Sequence, residues 1–324
     1  MTLPTLFVPH GAPTFALRPG AAGAALVQLA QTLERPQAII VISPHWETRD
    51  PTVGSASDLE TIYDFAGFPA ELYTLTYPAH GDATRAQQVA THLQHAGYPA
   101  RVDPHRGLDH GAWVPLRMMY PAADIPVIPL SIKPHAGAAY HYALGQALQP
   151  LTEDGFLIIG TGSITHNLRD YMICAHNNLP TPDYVTRFAD WVNDRLQAAD
   201  IPGLIDYRQI SPDAMRAHPT DEHFMPFFVA LGAAGKNPNA QRFFAGVETL
   251  ICQHANVAIW FTQQALDSAR RRNPVLRERG HVMLPGVDSP FTGPLPQYRP
   301  GPRLVIGHFG SLSATRTLKP FMHA

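Results

Sequence analysis

Five short segments each set a histidine among residues that suit a site: Val8-Pro9-His10-Gly11, Ser43-Pro44-His45-Trp46, Leu108-Asp109-His110-Gly111, Ser163-Ile164-Thr165-His166-Asn167 and Asp221-Glu222-His223-Phe224. Imidazole ligates borderline transition metals and is also the side chain that titrates near neutral pH, so histidines in such settings point to metal-dependent catalysis. The chain has only two cysteines, Cys174 and Cys252, too few for a thiolate zinc site or a disulfide framework. A metal here must therefore be held by histidine and carboxylate.

The seventeen histidines of the chain make any one of them weak evidence, and context separates them. His10 precedes Gly11-Ala12-Pro13, a tight loop that brings backbone close to a ligand. His45 follows Ser43-Pro44 in the same manner, with Trp46 available as a wall, and the two together suggest a metal pair. His166 comes after the glycine-rich exit Gly160-Thr161-Gly162-Ser163, which matches neither a phosphate-cradling loop nor a dinucleotide fingerprint. At His223 the preceding Thr220 or Asp221 can cap a helix, and either Glu222 or His223 can face a metal. His110 is flanked by Asp109, which can orient the ring and raise its pKa, and by Gly111, which leaves room for substrate; a plain loop turn is the alternative.

These side chains need a scaffold that gathers them. Thr5–Pro9, Ala38–Ser43, Ile125–Ile132 and Phe156–Gly160 are apolar runs of strand length, as expected of strands covered on both faces. Helical spacing covers Ala21–Glu34, Asp82–Ala96, Gly137–Leu148, Pro182–Ala198, His223–Ala233 and His254–Arg271. The alternation gives two βαβ units and predicts an α/β fold, a single domain with a central, mostly parallel or mixed sheet flanked by helices. In such sheets ligands bind beyond the carboxyl ends of the strands, which is where His10, His45 and His166 fall.

The 324 residues, 45% hydrophobic and 15% charged, suffice for one large core, and a net charge of −2 leaves no basic footprint for nucleic acid. No apolar stretch approaches the roughly 20 residues that span a bilayer, so no membrane association is expected. The start of the chain lacks the basic region of a signal peptide, which makes the cytoplasm the default location. Charge is uneven: residues 1–267 hold 15 basic against 24 acidic side chains, whereas 268–324 hold 9 against 2 together with 8 of the 32 prolines. Residues 251–324 accordingly read as an atypical basic, proline-rich C-terminal extension of a catalytic domain spanning 1–250.

Taken in order, the five histidine segments, with Tyr63-Asp64-Phe65-Ala66-Gly67-Phe68-Pro69 and Asp109-His110-Gly111-Ala112-Trp113, resemble the DOPA-4,5-dioxygenase type of class III extradiol ring-cleavage dioxygenases. The resemblance runs from about residue 4 to about residue 248 and implies an α/β fold, one non-haem Fe(II) or a Zn(II) in the same site, O₂ as co-substrate and a catechol substrate opened to a semialdehyde. By residue, it implies that His10, His45 and His223 hold the metal, with Glu222 the alternative third ligand. It further implies that His166 is the acid/base, and an added ligand when zinc is bound, and that His110 is the second pocket histidine, supported by Asp109. Trp46, Phe65, Phe68 and Trp113 would supply an apolar wall for the ring, core packing being the competing role for each.

Two rivals stand beside this reading: a zinc-dependent hydrolase, since three histidines and a bound water describe that site equally well, and a non-catalytic binding protein on the same scaffold. Nothing in the sequence decides for or against a homo-oligomer. The charge break and the end of the resemblance near Val247-Glu248 make a genuine extension or a shifted reading frame the two explanations of the tail.

Overall fold

The computed structural model describes residues 2–177, 179–235 and 240–243, and the short segments 258–260 and 280–282. The chain divides into two compact units, Met1–Met172 with Thr181–Phe243, and Ile173–Pro180 with Phe244–Ala324. The first unit carries the α/β fold. Its elements run β1 (Thr5–Pro9), α1 (Gly20–Thr32), β2 (Ala38–Glu47), β3 (Thr52–Gly54), α2 (Ala83–His95), β4 (Arg101–Asp103), α3 (His110–Met119), β5 (Val127–Ile132), α4 (Gly137–Leu148) and β6 (Phe156–Gly162). There follow α5 (Leu168–Asn177, which runs on into the second unit), α6 (Asp183–Gln197), the short helices α7 (Ile201–Ile205), α8 (Tyr207–Ile210) and α9 (Ala214–Ala217), and α10 (Met225–Ala233).

The sheet is mixed, in the order β1-β6-β2-β5-β3-β4, with every pairing parallel except β3 with β5. Alternation along the central strand splits the interior in two: Ile40 and Ile42 join one core with Ile128, Leu130 and Ile158, whereas Ile39 and Val41 join the other with Val127, Leu157 and Ile159. Residues of α2, α4, α6 and α10 fill the first core, and residues of α1 and α3 fill the second. Both faces of β2, β5 and β6 are thus covered, which is why these strands read as unbroken apolar runs.

Several boundaries shift by a residue or two from the sequence expectation, and two larger differences bear on the site. β2 does not stop at Ser43 but continues to Glu47. Its pairing with β5 breaks after Ile42 and resumes at Glu47 opposite Ile132, a bulge that accommodates Pro44, which has no amide proton to give. The His110 segment is not a loop but the first turn of α3, with Asp109 as the cap whose side chain accepts from the Ala112 amide. Pro115 inside that helix hides it from a reading by periodicity.

Within the second unit, Ala258–Trp260 pairs in parallel with Gly280–Val282. The helix expected over 254–271 is therefore wrong at its described residues, where the β-branched and aromatic Ile259-Trp260 pair as a strand instead. The remainder of that helix and of the tail 251–324 lies outside the described residues. Among the described residues no helix is long and apolar enough to cross a membrane.

Candidate metal centre

All five histidines arrive at one rim of the sheet. β1 ends at Pro9 and hands on His10, which is buried. His45 lies in the bulged end of β2, where its amide hydrogen-bonds Ser43 Oγ at 3.2 Å. His110 opens α3, and His223 sits in the single turn Glu222–Phe224 that leads into α10. His166 follows β6, and backbone bonds tie its segment to that of His223: the Ser163 amide donates to the His223 carbonyl at 3.1 Å and the His166 amide to the Ala217 carbonyl at 2.8 Å.

The rings form two touching groups. In the first, His10, His45 and His110 each bring a ligand atom, all within 4.8 Å of one another, and the Nε2 atoms of His10 and His45 stand 3.3 Å apart. The second group is His166, Glu222 and His223, in which the two imidazoles stack at 3.4 Å between centroids and 9° between planes. The His223 ring lies 5.3 Å from that of His10 and 5.0 Å from that of His45, so the groups adjoin.

Carboxylates hydrogen-bond two of the rings and approach a third. Asp64 accepts from both the backbone amide and the Nδ1–H of His110, at 2.8 Å each, and its Oδ2 lies 3.5 Å from His45 Nδ1. Glu222 accepts from His223 Nδ1 at 2.9 Å and from Thr220 Oγ1 at 3.1 Å. In each pair the tautomer follows from the bond: Nδ1 carries the proton and Nε2 keeps a free lone pair. The support of His110 thus comes from Asp64 and not from Asp109, a correction to the sequence reading. Asp109 instead caps α3, accepts the Ser43 hydroxyl at 2.6 Å and pairs with Arg106.

The electrostatics favour uncharged imidazole. Burial, followed by the mutual presence of the other histidines, holds His10 and His45 well below the ordinary histidine value, and burial with the neighbouring His223 lowers His166 to about 4. The hydrogen bond from His223 holds Glu222 down at about 2. Burial opposes the charge of Asp64, yet its bonds to His110 outweigh that and keep it below the usual carboxylate range. Neutral His10, His45 and His166 together with anionic Asp64 and Glu222 are the protonation state a cation needs.

The expected aromatic wall is only partly at the site. The ring of Phe65 stands perpendicular to His110 at 5.7 Å. Trp113 is fully buried, gives its indole N–H to the Ile62 carbonyl at 3.1 Å and belongs to the second core, so no substrate ring reaches it. Trp46 is 8% exposed, with the Arg106 guanidinium 4.9 Å over its ring. A cavity of about 740 Å³ opens beside the histidines, lined by His45 and His223 and by the charged side chains Glu47, Lys133, Arg208, Asp221 and Glu222.

The chain is similar to proteins of known kind. A profile of the catalytic LigB subunit of aromatic ring-opening dioxygenases matches residues 23–255. The chain belongs to this family. It is 41% identical to the 4,5-DOPA dioxygenase extradiol of Beta vulgaris over 73% of its length and 89% of that protein, and 36% identical to the protein of the same name in Escherichia coli K12 over 71% and 85%. The crystal structure of an uncharacterized protein from Escherichia coli K12 superposes with a TM-score of 0.59 at 32% identity, covering 71% of this chain and 88% of that one. The LigB-family chain is an α/β extradiol dioxygenase, as the motifs in the sequence implied.

Asp64 and the charged cavity wall were the parts sequence reasoning left without a role. Asp64 stood in a quoted motif, but its partner is 46 residues away. Only the fold joins them.

Proposed function

We propose that this LigB-family chain opens the aromatic ring of a catechol, DOPA-like in kind, with O₂ at a single divalent metal, Fe(II) in the working enzyme and Zn(II) able to occupy the same ligands. The observation that carries this is the 3.3 Å separation of His10 Nε2 and His45 Nε2. Two nitrogens each about 2.1 Å from one ion at a tetrahedral angle stand about 3.4 Å apart, so the pair is already spaced for a shared metal. Nitrogen donors with supporting carboxylates suit Fe(II) and Zn(II) alike.

His10, His45 and His223 would hold the metal. The hydrogen bond from His223 Nδ1 supports His223 over Glu222 as the third ligand, because the carboxylate is engaged in orienting the ring and leaves its Nε2 free. When bound, the metal supplies a Lewis-acid anchor for both catechol oxygens and a place to activate O₂. The protein does the rest. His166, kept neutral by burial, accepts a catechol proton and later returns it. His110, fixed by the two hydrogen bonds it gives to Asp64, would use its free Nε2 to stabilise negative charge on the reacting oxygen. Phe65, against His110, shields the ring side of the pocket. With the family shown, the zinc-hydrolase and binding-protein readings give way to ring opening.

Anaerobic loading with Fe(II), addition of a catechol and then of air tests this. A yellow ring-opened product that requires both metal and O₂ is expected; intact catechol under those conditions overturns the proposal.

A further inference from the structure

The strands beside β2 do not by themselves position His45. β2 pairs with β6 as far as Ile42, and with β5 as far as Ile42 and again at Glu47, so His45 lies in the stretch between. Side chains take over there. The His45 amide donates to Ser43 Oγ at 3.2 Å, the Ser43 hydroxyl donates to Asp109 Oδ1 at 2.6 Å, and Arg106 Nη2 donates to Asp109 Oδ2 at 2.5 Å. Arg106 also reaches the far flank of His45, where its guanidinium stands 4.9 Å over the Trp46 ring. One guanidinium thus holds the chain on both sides of this histidine.

The segment that carries Arg106 is itself tied to the rest of the site. The Leu108 amide donates to the Glu60 carbonyl and the Ile62 amide to the Leu108 carbonyl, at 2.8 Å each, and a Cβ at Gly107 would stand 2.3 Å from the Glu60 carbonyl oxygen. This seam leads to Asp64 on one side and to His110 on the other, and the two then bond to each other. Asp109 is buried and the Arg106 side chain is only 17% exposed, so their charged bond is strong and directional, and removing either partner strands the other. We propose that Arg106 is a positioning residue for the metal centre, setting the direction of the His45 ring through Asp109 and Ser43 on one flank and through Trp46 on the other. A planar guanidinium can meet a carboxylate at its edge and an indole at its face, which the point charge of a lysine cannot match. The inference rests on the reading of His45 as a metal ligand, yet it concerns what aims that ligand and can fail separately.

The visible absorption bands of Co(II) bound to the full-length protein follow the arrangement of its ligands and read this without turnover. Arg106→Met and Ser43→Ala are each expected to shift those bands and to weaken Co(II) binding by about 10- to 100-fold in competition with a chelator. The double variant should bind no more weakly than the worse of the two single variants, because both act through one chain of bonds. Wild-type bands and affinity in either single variant, whatever its melting temperature, make the ion pair a structural tie and overturn the proposal. Losses that multiply in the double variant overturn it as well. Ser43→Ala removes one hydroxyl and leaves the ion pair intact, so it decides alone if Arg106→Met does not fold. His45→Ala separates the proposal from the reading beneath it. Wild-type bands in that variant remove His45 from the ligand set and the proposal falls with it, whereas altered bands there beside unaltered ones in Arg106→Met and Ser43→Ala overturn the proposal alone.

Discussion

One carboxylate, Asp64, lies between two imidazoles that approach the site from different elements. Its bonds to His110 fix the ring's tautomer and direction, and outer carboxylates of this kind typically change metal affinity or activity by about 10- to 100-fold when neutralised. Asp64→Asn is therefore expected to lower turnover or metal affinity by that factor while the melting temperature of the metal-free protein stays nearly unchanged, measured by metal titration beside a thermal scan. A large fall in melting temperature with unchanged affinity would make Asp64 a structural residue. At this scale the histidines were legible because residue type and flanking glycine or proline carry the signal. Asp64 was not, because the neighbour in sequence, Asp109, drew the supporting role that the fold gives to a residue 46 positions away.

Elements set how closely these groups can meet, and glycines mark the tightest places. A Cβ at Gly111, in the first turn of α3, would stand 2.2 Å from Ser43 Oγ and 2.9 Å from His45 Cδ2. Gly111→Ala should thus displace His45 and lower metal stoichiometry, read by elemental analysis of the purified protein. Far from the site, α4 and α10 press together: a Cβ at Gly145 would meet the Val229 carbonyl oxygen at 2.1 Å. Gly145→Ala is expected to destabilise the fold by about 1–3 kcal/mol in urea titration, with metal content preserved. The central strands and long helices were legible in the sequence because burial on both faces leaves an unbroken apolar run and amphipathic helices leave a period. β3 and β4, three residues each, are too short to leave any pattern, and α3 is masked by Gly111 and Pro115.

Across the whole molecule, burial of histidine couples stability to pH. Burial disfavours the charged form of His10, His45 and His166 at the site, and of His141 and of His218, lowered to about 3, away from it. The unfolded chain takes up protons on these rings near their ordinary value of 6.5 and the folded chain resists, so stability is full above that pH and falls as pH drops toward 4. The urea midpoint of the metal-free protein should be flat from neutral pH upward and clearly lower at about pH 5. The five site histidines all lie before residue 235. We propose that the tail from 251 stands outside the catalytic domain, so a chain ended at residue 250 should keep the full chain's metal content even where its melting temperature falls. The central claim, ring opening at a histidine-held metal, is tested most directly by a single turnover of the Fe(II)-loaded protein with L-DOPA under isotopically labelled O₂, followed by mass spectrometry of the product. The account predicts a ring-opened product carrying both atoms of the labelled O₂. Product formed without that label, or without the metal, would contradict it.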